Sequence, residues 1–432
     1  MKNFKKIVSA VLLATMLFTT LFASVSCGGR KTSGFSQFEI TYYYGPHGYQ
    51  AAQEDTWRIV AECGFTSVPL EHGTAANNKV ALAHMKKYGL TCSALWDTRI
   101  QSAISIGDTM TDEEMEALAK RVVDDYAEFD NIKGWWFFDE PGSDKFEVLG
   151  RLKAAFKKVD PNREVFIDLF PTYANPETQL FTKDYYEYVD KYLETVDPDY
   201  LCYDHYHFNA DGSFDKEFFY NFEIIRDRGL AAKLDYMSIV LLTKFSQNTA
   251  NVTRTQLLWE ANMCLTYGAK RISYFTYSTT ADIEQAGMEN ACVNSKGEIG
   301  PHYYDAQAVN AKIYPLGNEL FNKTSMAVFH LLSDSNLLER ECEAYASYGK
   351  LGAVTGEGFV IGFFDDKSFM ITNLKYEEGD AGKNTLIFID VTEGLEYFDV
   401  ESSTWKAYTA KDANGNYVFE ALGGEGVLFR VK

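Results

Sequence analysis

Ile132-Lys133-Gly134-Trp135-Trp136-Phe137-Phe138-Asp139-Glu140-Pro141 sets two adjacent carboxylates directly behind a run of large apolar side chains. The apolar run predicts a buried strand, and Pro141 stops its pairing. An unpaired charge inside such a strand is costly. The acids therefore belong at the strand's end, where the chain emerges into a cleft and where parallel α/β barrels carry their catalytic groups. The plain alternative, that Asp139 caps a turn and Glu140 is solvated, loses ground once the flanking pattern is read.

From residue 38 onward, short apolar runs alternate with amphipathic helices, which predicts a parallel sheet with crossover helices. Candidate strands fall at 38–44, 66–70, 91–96, 134–138, 164–170, 200–206, 232–239 and 271–277. Eight is the number that closes a barrel, so the expected fold class is α/β, a (β/α)8 TIM barrel over residues 37–323. The helices are well marked. Thr111 and Glu114 form a capping box ahead of Met115, Leu118 and Val122. Leu257, Ala261, Cys264 and Leu265 share a face that ends at Gly268. Beyond about residue 323 helical spacing gives way to short alternating runs separated by turns such as Asn414-Gly415. A small all-β sandwich over 324–432 is the expectation.

The first residues read as a targeting segment. Lys2, Lys5 and Lys6 precede an apolar stretch, followed by Ala23-Ser24-Val25-Ser26-Cys27. Small residues leading to a cysteine are similar to a bacterial lipoprotein signal over 1–26, with Cys27 lipidated and 27–36 as a tether. The expected place is the bacterial cell envelope, lipid-anchored to a membrane. Net charge is −20, and without the three leader lysines it is −23. That excludes a nucleic-acid partner, whose binding draws on clustered Lys and Arg. Aromatic residues make up 15% of the chain, an excess that suits packing against sugar rings. The six remaining cysteines show no CxxC pair and no metal spacing with His, so they read as buried thiols. No cofactor fingerprint stands out.

Acids and polar aromatics collect at the candidate strand ends. Strand two is followed by Glu71 and strand three by Trp96-Asp97-Thr98-Arg99. Strand four gives Asp139-Glu140, strand five Asp168, and strand six Asp204-His205-Tyr206-His207. Strand seven offers Asp235, and strand eight Tyr274 and Tyr277. Cleaving a glycosidic bond needs one carboxylic acid to protonate the departing oxygen and a second carboxylate as nucleophile or base.

The stretches 134–141, 201–208 and 265–277 resemble those of bacterial TIM-barrel glycoside hydrolases. The likeness is to the retaining clan that includes the family 42 β-galactosidases, and to glycoside-hydrolase lipoproteins of gut Bacteroides. The resemblance implies a glycosidase acting on an oligo- or polysaccharide, with an acid/base glutamate at the end of strand four, which falls on Glu140. That clan usually has Asn before the glutamate, where this chain has Asp139. It also implies a nucleophilic glutamate at the end of strand seven, where only Asp235 is present.

Asp204 is the first choice for the second carboxylate, because strand six ends in a polar, aromatic-walled run on the same rim. Asp235 is the second choice, with Glu71, Asp97 and Asp168 behind it. A separation of about 5 Å from Glu140 implies retention, and about 6.5–9.5 Å inversion. Trp136 and Phe138 are placed to desolvate Glu140 and raise its pKa. Arg99 beside Asp97 either orients a sugar hydroxyl or forms a structural ion pair. His205 and His207 straddle Tyr206 and read as sugar-binding or buried polar groups, not as a metal pair. Trp96, Tyr274 and Tyr277 are candidate stacking platforms, and Asp139 and Tyr206 candidate substrate contacts. The alternative reading is a non-catalytic glycan-binding lipoprotein on the same scaffold, and a third is a metal-dependent hydrolase.

Overall fold

Every one of the eight candidate strands forms. They are β1 (Glu39–Tyr43), β2 (Ser67–Leu70), β3 (Thr91–Leu95), β4 (Gly134–Asp139), β5 (Glu164–Asp168), β6 (Leu201–Asp204), β7 (Tyr236–Leu241) and β8 (Arg271–Phe275). This computed structural model describes residues 35–432 except 47, 72, 280–283, 285–286 and 333–341. The leader and Cys27 lie outside the described residues. Among the described residues no helix is long and apolar enough to cross a membrane.

The strands pair in parallel as two four-stranded sheets, ordered β1-β8-β7-β6 and β2-β3-β4-β5. Backbone hydrogen bonds reach across both seams. The Thr66 N–H donates to the Ile40 carbonyl at 3.0 Å, and the Leu169 N–H to the Cys202 carbonyl at 2.9 Å. The crossovers include α1 (Glu54–Glu62), α2 (Ala75–Lys87), α3 (Thr98–Ile106), α4 (Asp112–Asp125), α5 (Phe146–Val159) and α6 (Tyr185–Val196). They continue with α7 (Glu217–Ala232), α8 (Arg254–Tyr267) and α9 (Pro301–Leu320). The Thr111/Glu114 capping box opens α4 as its sequence predicts. Helix α8 is buried on nearly every side, because it is covered by strands on one flank and by the β-rich region on the other.

One strand is displaced from its expected place. Helix α7 runs on through Ala232, and Lys233 takes a left-handed conformation (φ 58°) that ends it. Strand β7 therefore begins at Tyr236 rather than near 232. That shift moves Asp235 to the N-terminal end of the strands, where its carbonyl accepts the Leu201 N–H at 3.0 Å.

The C-terminal strands are β9 (Ser325–Leu331), β10 (Glu343–Ala344), β11 (Val354–Thr355), β12 (Phe359–Phe364) and β13 (Ser368–Asn373). They continue with β14 (Asn384–Phe388), β15 (Leu395–Asp399), β16 (Thr404–Ala407), β17 (Tyr417–Ala421) and β18 (Gly426–Val431). A seven-stranded sheet (β10-β9-β12-β13-β18-β15-β16) faces a three-stranded one (β11-β14-β17). Alternate residues Phe359, Ile361 and Phe363 of β12 fill the core between them. Val360, Met370 and Leu428 point the other way and join the core of the parallel region. At Gly362 the sheet touches α8 so closely that a Cβ would sit 1.9 Å from the Thr266 carbonyl oxygen. Only glycine permits that approach.

Inside the parallel region, at the N-terminal ends of its strands, Arg271 of β8 pairs with Glu39 of β1 and lies 3.2 Å from Glu164 of β5. All three are buried, and the guanidinium also stacks on Phe35 at 3.7 Å. The arginine thus ties the two parallel sheets together through their interior. Removing it leaves two buried acids without a counter-charge. Arg271→Met is expected to lower stability by about 3–5 kcal/mol. Adding Glu39→Gln and Glu164→Gln should recover much of the loss. Urea unfolding of the three proteins checks this, and an unchanged midpoint for the single variant would contradict it.

Candidate active site

Trp135 and Phe137 pack outward from β4, with the Trp135 indole N–H donating to Asp160 at 3.0 Å. The pairing register of β4 against β5 shifts between Trp136 and Phe138. Strict alternation would send Phe138 and Asp139 to opposite faces. With the shift, both line the same cavity, together with Trp136. Glu140 follows in a left-handed conformation (φ 50°), and its N–H donates to the Asp168 carbonyl at 2.9 Å. Pro141 then turns away, its carbonyl accepting the Tyr188 hydroxyl at 2.7 Å. This turn holds Glu140 at the rim.

The cavity is about 240 Å³, lined by Tyr43, Tyr44, Glu71, Trp96, Gln101, Trp136, Phe138 and Asp139. That lies near the small end of ligand pockets, roughly 300–1,000 Å³. Its walls are aromatic and its polar groups are mostly acids. Glu71 is gripped by the Tyr44 and Gly45 N–H groups at 3.1 and 2.8 Å. Burial nevertheless raises it to about 7, with Asp139 adding to the effect.

Four further carboxyls crowd the C-terminal ends of β4, β5 and β6. Glu140 is raised from its ordinary 4.5 to about 7 by burial and by the Asp139 charge. Asp139 is raised by burial, although one side opens to solvent and the Tyr43 hydroxyl opposes the shift. Asp168 is pushed far up by burial, then by Asp204, Asp139 and Glu140, while its Oδ1 accepts the Cys202 thiol at 3.1 Å. Asp204 is pushed far up by burial, then by Glu140 and Asp139, with the Tyr206 hydroxyl opposing. No hydrogen-bond partner reaches Asp204 Oδ1. The charges that raise Glu140, Asp168 and Asp204 are carboxylates of this same cluster.

The structure gathers Trp96, Asp139, Glu140, Asp204 and Tyr206 at this end. Tyr206 packs beside Phe275 and Phe245, with ring centres 5.1 and 4.9 Å away. The remaining candidates stand elsewhere. Asp235 starts four residues below Ile239, the partner of Asp204, or ~13 Å along the strand at ~3.3 Å per residue. Asp97 caps α3 and accepts two side-chain hydrogen bonds from Arg99, both at 2.9 Å, plus one from Tyr126. Arg99 completes its contacts on Asp125 at 2.5 Å. Of the two readings of this pair, the structural one is what the fold shows. Tyr274 and Tyr277 are 0% and 1% exposed and sit behind the strands, Tyr277 stacked on Tyr42 at 4.8 Å. They offer no platform to a ligand.

The two histidines are enclosed. His205 is wholly buried, and burial drives its pKa down to about 3. His207 lies 3.8 Å from Phe218 between ring centres, and its Nε2 is 3.4 Å from Glu260 Oε1. Glu260, on α8, is fully buried and accepts the Leu241 N–H at 3.1 Å. These groups brace the end of β7 from behind.

Sequence reasoning missed Tyr43 and Gln101. Tyr43 was within reach of it: it is the third residue of the alternating set Glu39, Thr41, Tyr43 on β1. Gln101 belongs to α3 and donates to the Phe137 carbonyl at 3.1 Å, a contact no local pattern announces. Tyr173 is 48% exposed, beside Asp204 and Glu140.

No family model matches this sequence, and no curated protein matches it. Solved structures do. A glycoside hydrolase family 5 protein from Bacteroides vulgatus matches with a TM-score of 0.54 at 11% identity, covering 91% of this chain and 89% of that one. A glycoside hydrolase matches with a TM-score of 0.53 at 12% identity, covering 91% and 92%. The β-galactosidase from Bacillus circulans sp. alkalophilus matches at 0.52 and 12% identity, over 68% of this chain. This chain spans 58% of the length of that β-galactosidase. The shared feature is the fold.

A protonated glutamate beside ionisable aspartates can donate a proton and accept one back. The raised pKa of Glu140 also has a consequence for folding. The folded state holds its proton from 4.5 up to about 7, whereas the unfolded chain releases it. Stability from this group is complete below the lower value and is lost as pH rises through the upper one. Glu140→Gln, which cannot titrate, should flatten the fall in stability across that window. Urea midpoints measured from pH 4.5 to 8 test this, and parallel slopes would count against it.

Proposed function

We propose that this chain is a glycoside hydrolase built on a closed (β/α)8 barrel, with Glu140 as the general acid and Asp204 as the second carboxylate. The observation that carries the reading is Glu140 itself. It ends β4 in a left-handed turn and titrates at about 7 beside an aromatic cavity. A general acid works best with a pKa near the working pH. The seam hydrogen bonds at Thr66 and Leu169 support closure of the barrel. The fold likeness to glycoside hydrolases supports the substrate class.

Asp204 faces the same rim, has an oxygen without a protein partner, and feels Glu140 as its strongest charged neighbour. With Glu140 protonated, that repulsion is relieved, and burial and the Asp139 charge are what still raise Asp204. Trp96, Trp136 and Tyr43 offer faces for sugar rings, and Gln101 and Asp139 offer polar contacts. The lipoprotein-like leader supports anchorage through Cys27 in the bacterial envelope, with a carbohydrate as the partner.

A second reading rests on one observation. Strand β7 ends in Leu241 and continues as Leu242-Thr243, so no carboxylate stands where the retaining clan has its nucleophile. A glycan-binding protein without hydrolytic activity would tolerate that. A panel of aryl glycosides and plant or host glycans separates the two. Hydrolysis by the wild type, reduced at least ~100-fold in Glu140→Gln and in Asp204→Asn with binding retained, is the expected result. Loss in Asp139→Asn but not in Asp204→Asn would transfer the second role to Asp139. Binding without any cleavage would favour the second reading.

A further inference from the structure

Far from the cleft, three side chains of different chemistry converge between α7 and the β9–β10 pair. One ligand atom each from Glu223, His330 and Cys342 lies within 4.8 Å of the others. Glu223 comes from α7, His330 from β9, and Cys342 from the residue before β10. The pairing of Ala344 with His330 in parallel register fixes the cysteine opposite the histidine's strand. No spacing in the sequence joins these positions.

The surroundings are those of a built site. Glu223 is 6% exposed and His330 1%. No hydrogen-bond partner reaches Glu223 Oε1 or His330 Nδ1. Buried polar atoms are nearly always satisfied, so each such atom calls for an explanation. The other imidazole nitrogen, Nε2, is 2.8 Å from the Tyr267 hydroxyl. Phe219 meets the ring edge-on at 5.0 Å. A histidine oriented through one nitrogen, with a carboxylate and a thiol close by, is how a metal-ligating imidazole is held.

We propose that Glu223, His330 and Cys342 form a transition-metal site of the zinc class that clamps α7 to the β9–β10 pair. The mixed O, N and S donor set suits Zn²⁺ and Co²⁺ and is poorly matched to Mg²⁺ or Ca²⁺, which prefer oxygen alone. Metal–ligand distances of about 2.0–2.3 Å place tetrahedral ligands about 3.4–3.7 Å apart, so side-chain shifts of about 1 Å close the site. Binding releases the thiol proton. The carboxylate and thiolate then balance a divalent ion, beside the Arg226 guanidinium. Cys342 is part-exposed, which leaves a path for entry and a fourth position for water.

The test uses the full chain, reduced and stripped of metal, titrated with Co²⁺ and then with Zn²⁺. The expected result is one Co²⁺ per chain with a strong thiolate-to-cobalt absorption band in the near ultraviolet, displaced by Zn²⁺. Cys342→Ser should abolish the band, and Glu223→Gln should keep it while weakening Co²⁺ at least tenfold. Circular dichroism checks that each variant is folded. No band in the wild type, or the same band in Cys342→Ser, would overturn the site. If Cys342→Ser does not fold, the isosteric Glu223→Gln decides: wild-type affinity for Co²⁺ in that variant would equally overturn it, leaving contacts with Tyr267 as the role of the pair.

Discussion

Carboxylates crowded into a partly desolvated rim cannot all carry charge. In general, two carboxylates about 5 Å apart repel by roughly 3 kcal/mol at an effective dielectric of about 20, and burial adds to that cost. The Asp139 charge raises Glu140, Asp168, Asp204 and Glu71 in this way, and Glu140 and Asp204 add to the rise of Asp168. Protons must therefore be held at neutral pH. Glu140, at the rim and near 7, is the group from which a proton can be given up within the working range. Asp168, fully enclosed and bonded to a thiol, is suited to staying neutral and keeping its neighbours in place.

The two ends of the parallel strands handle the same problem in opposite ways. At the N-terminal ends, the inward acids Glu39 and Glu164 share the single counter-charge of Arg271, which opposes the rise that burial imposes on Glu164. At the C-terminal ends, among the described residues, the acids stand together without such a partner. A structural core would favour compensation, because uncompensated buried charge only costs stability. Leaving one end uncompensated makes sense as a device for shifting pKa values, and such shifts concentrate where proton transfer is the task.

Much of this was legible in the sequence wherever the signal was local. Eight apolar runs marked the strands, and the switch from helical to alternating spacing near residue 323 marked the β-rich region. The Trp-Trp-Phe-Phe-Asp-Glu-Pro run fixed the end of β4. Failures arose where a decision depended on something outside the local window. Asp235 was assigned to the wrong end because α7 continues through two alanines before Lys233 turns left-handed. Tyr274 looks like any rim tyrosine until the strand's alternation sends it outward, and Tyr277, past the end of β8, packs on Tyr42 of β1. Asp97 and Arg99, two residues apart at a helix start, form a cap whose partner Asp125 is distant in sequence. The Glu223–His330–Cys342 cluster is a purely tertiary convergence, and β9 was read only as the region's beginning.

The central claim is that Glu140 keeps its proton to near neutrality because of its own burial and the Asp139 charge beside it. Carboxyl ¹³C NMR of chains labelled at glutamate, with the Glu140 signal assigned by its loss in Glu140→Gln, measures this directly. The account predicts that this signal titrates near 7 and moves to lower pH in Asp139→Asn. A signal that titrates near the ordinary 4.5 and ignores the Asp139 substitution would contradict it.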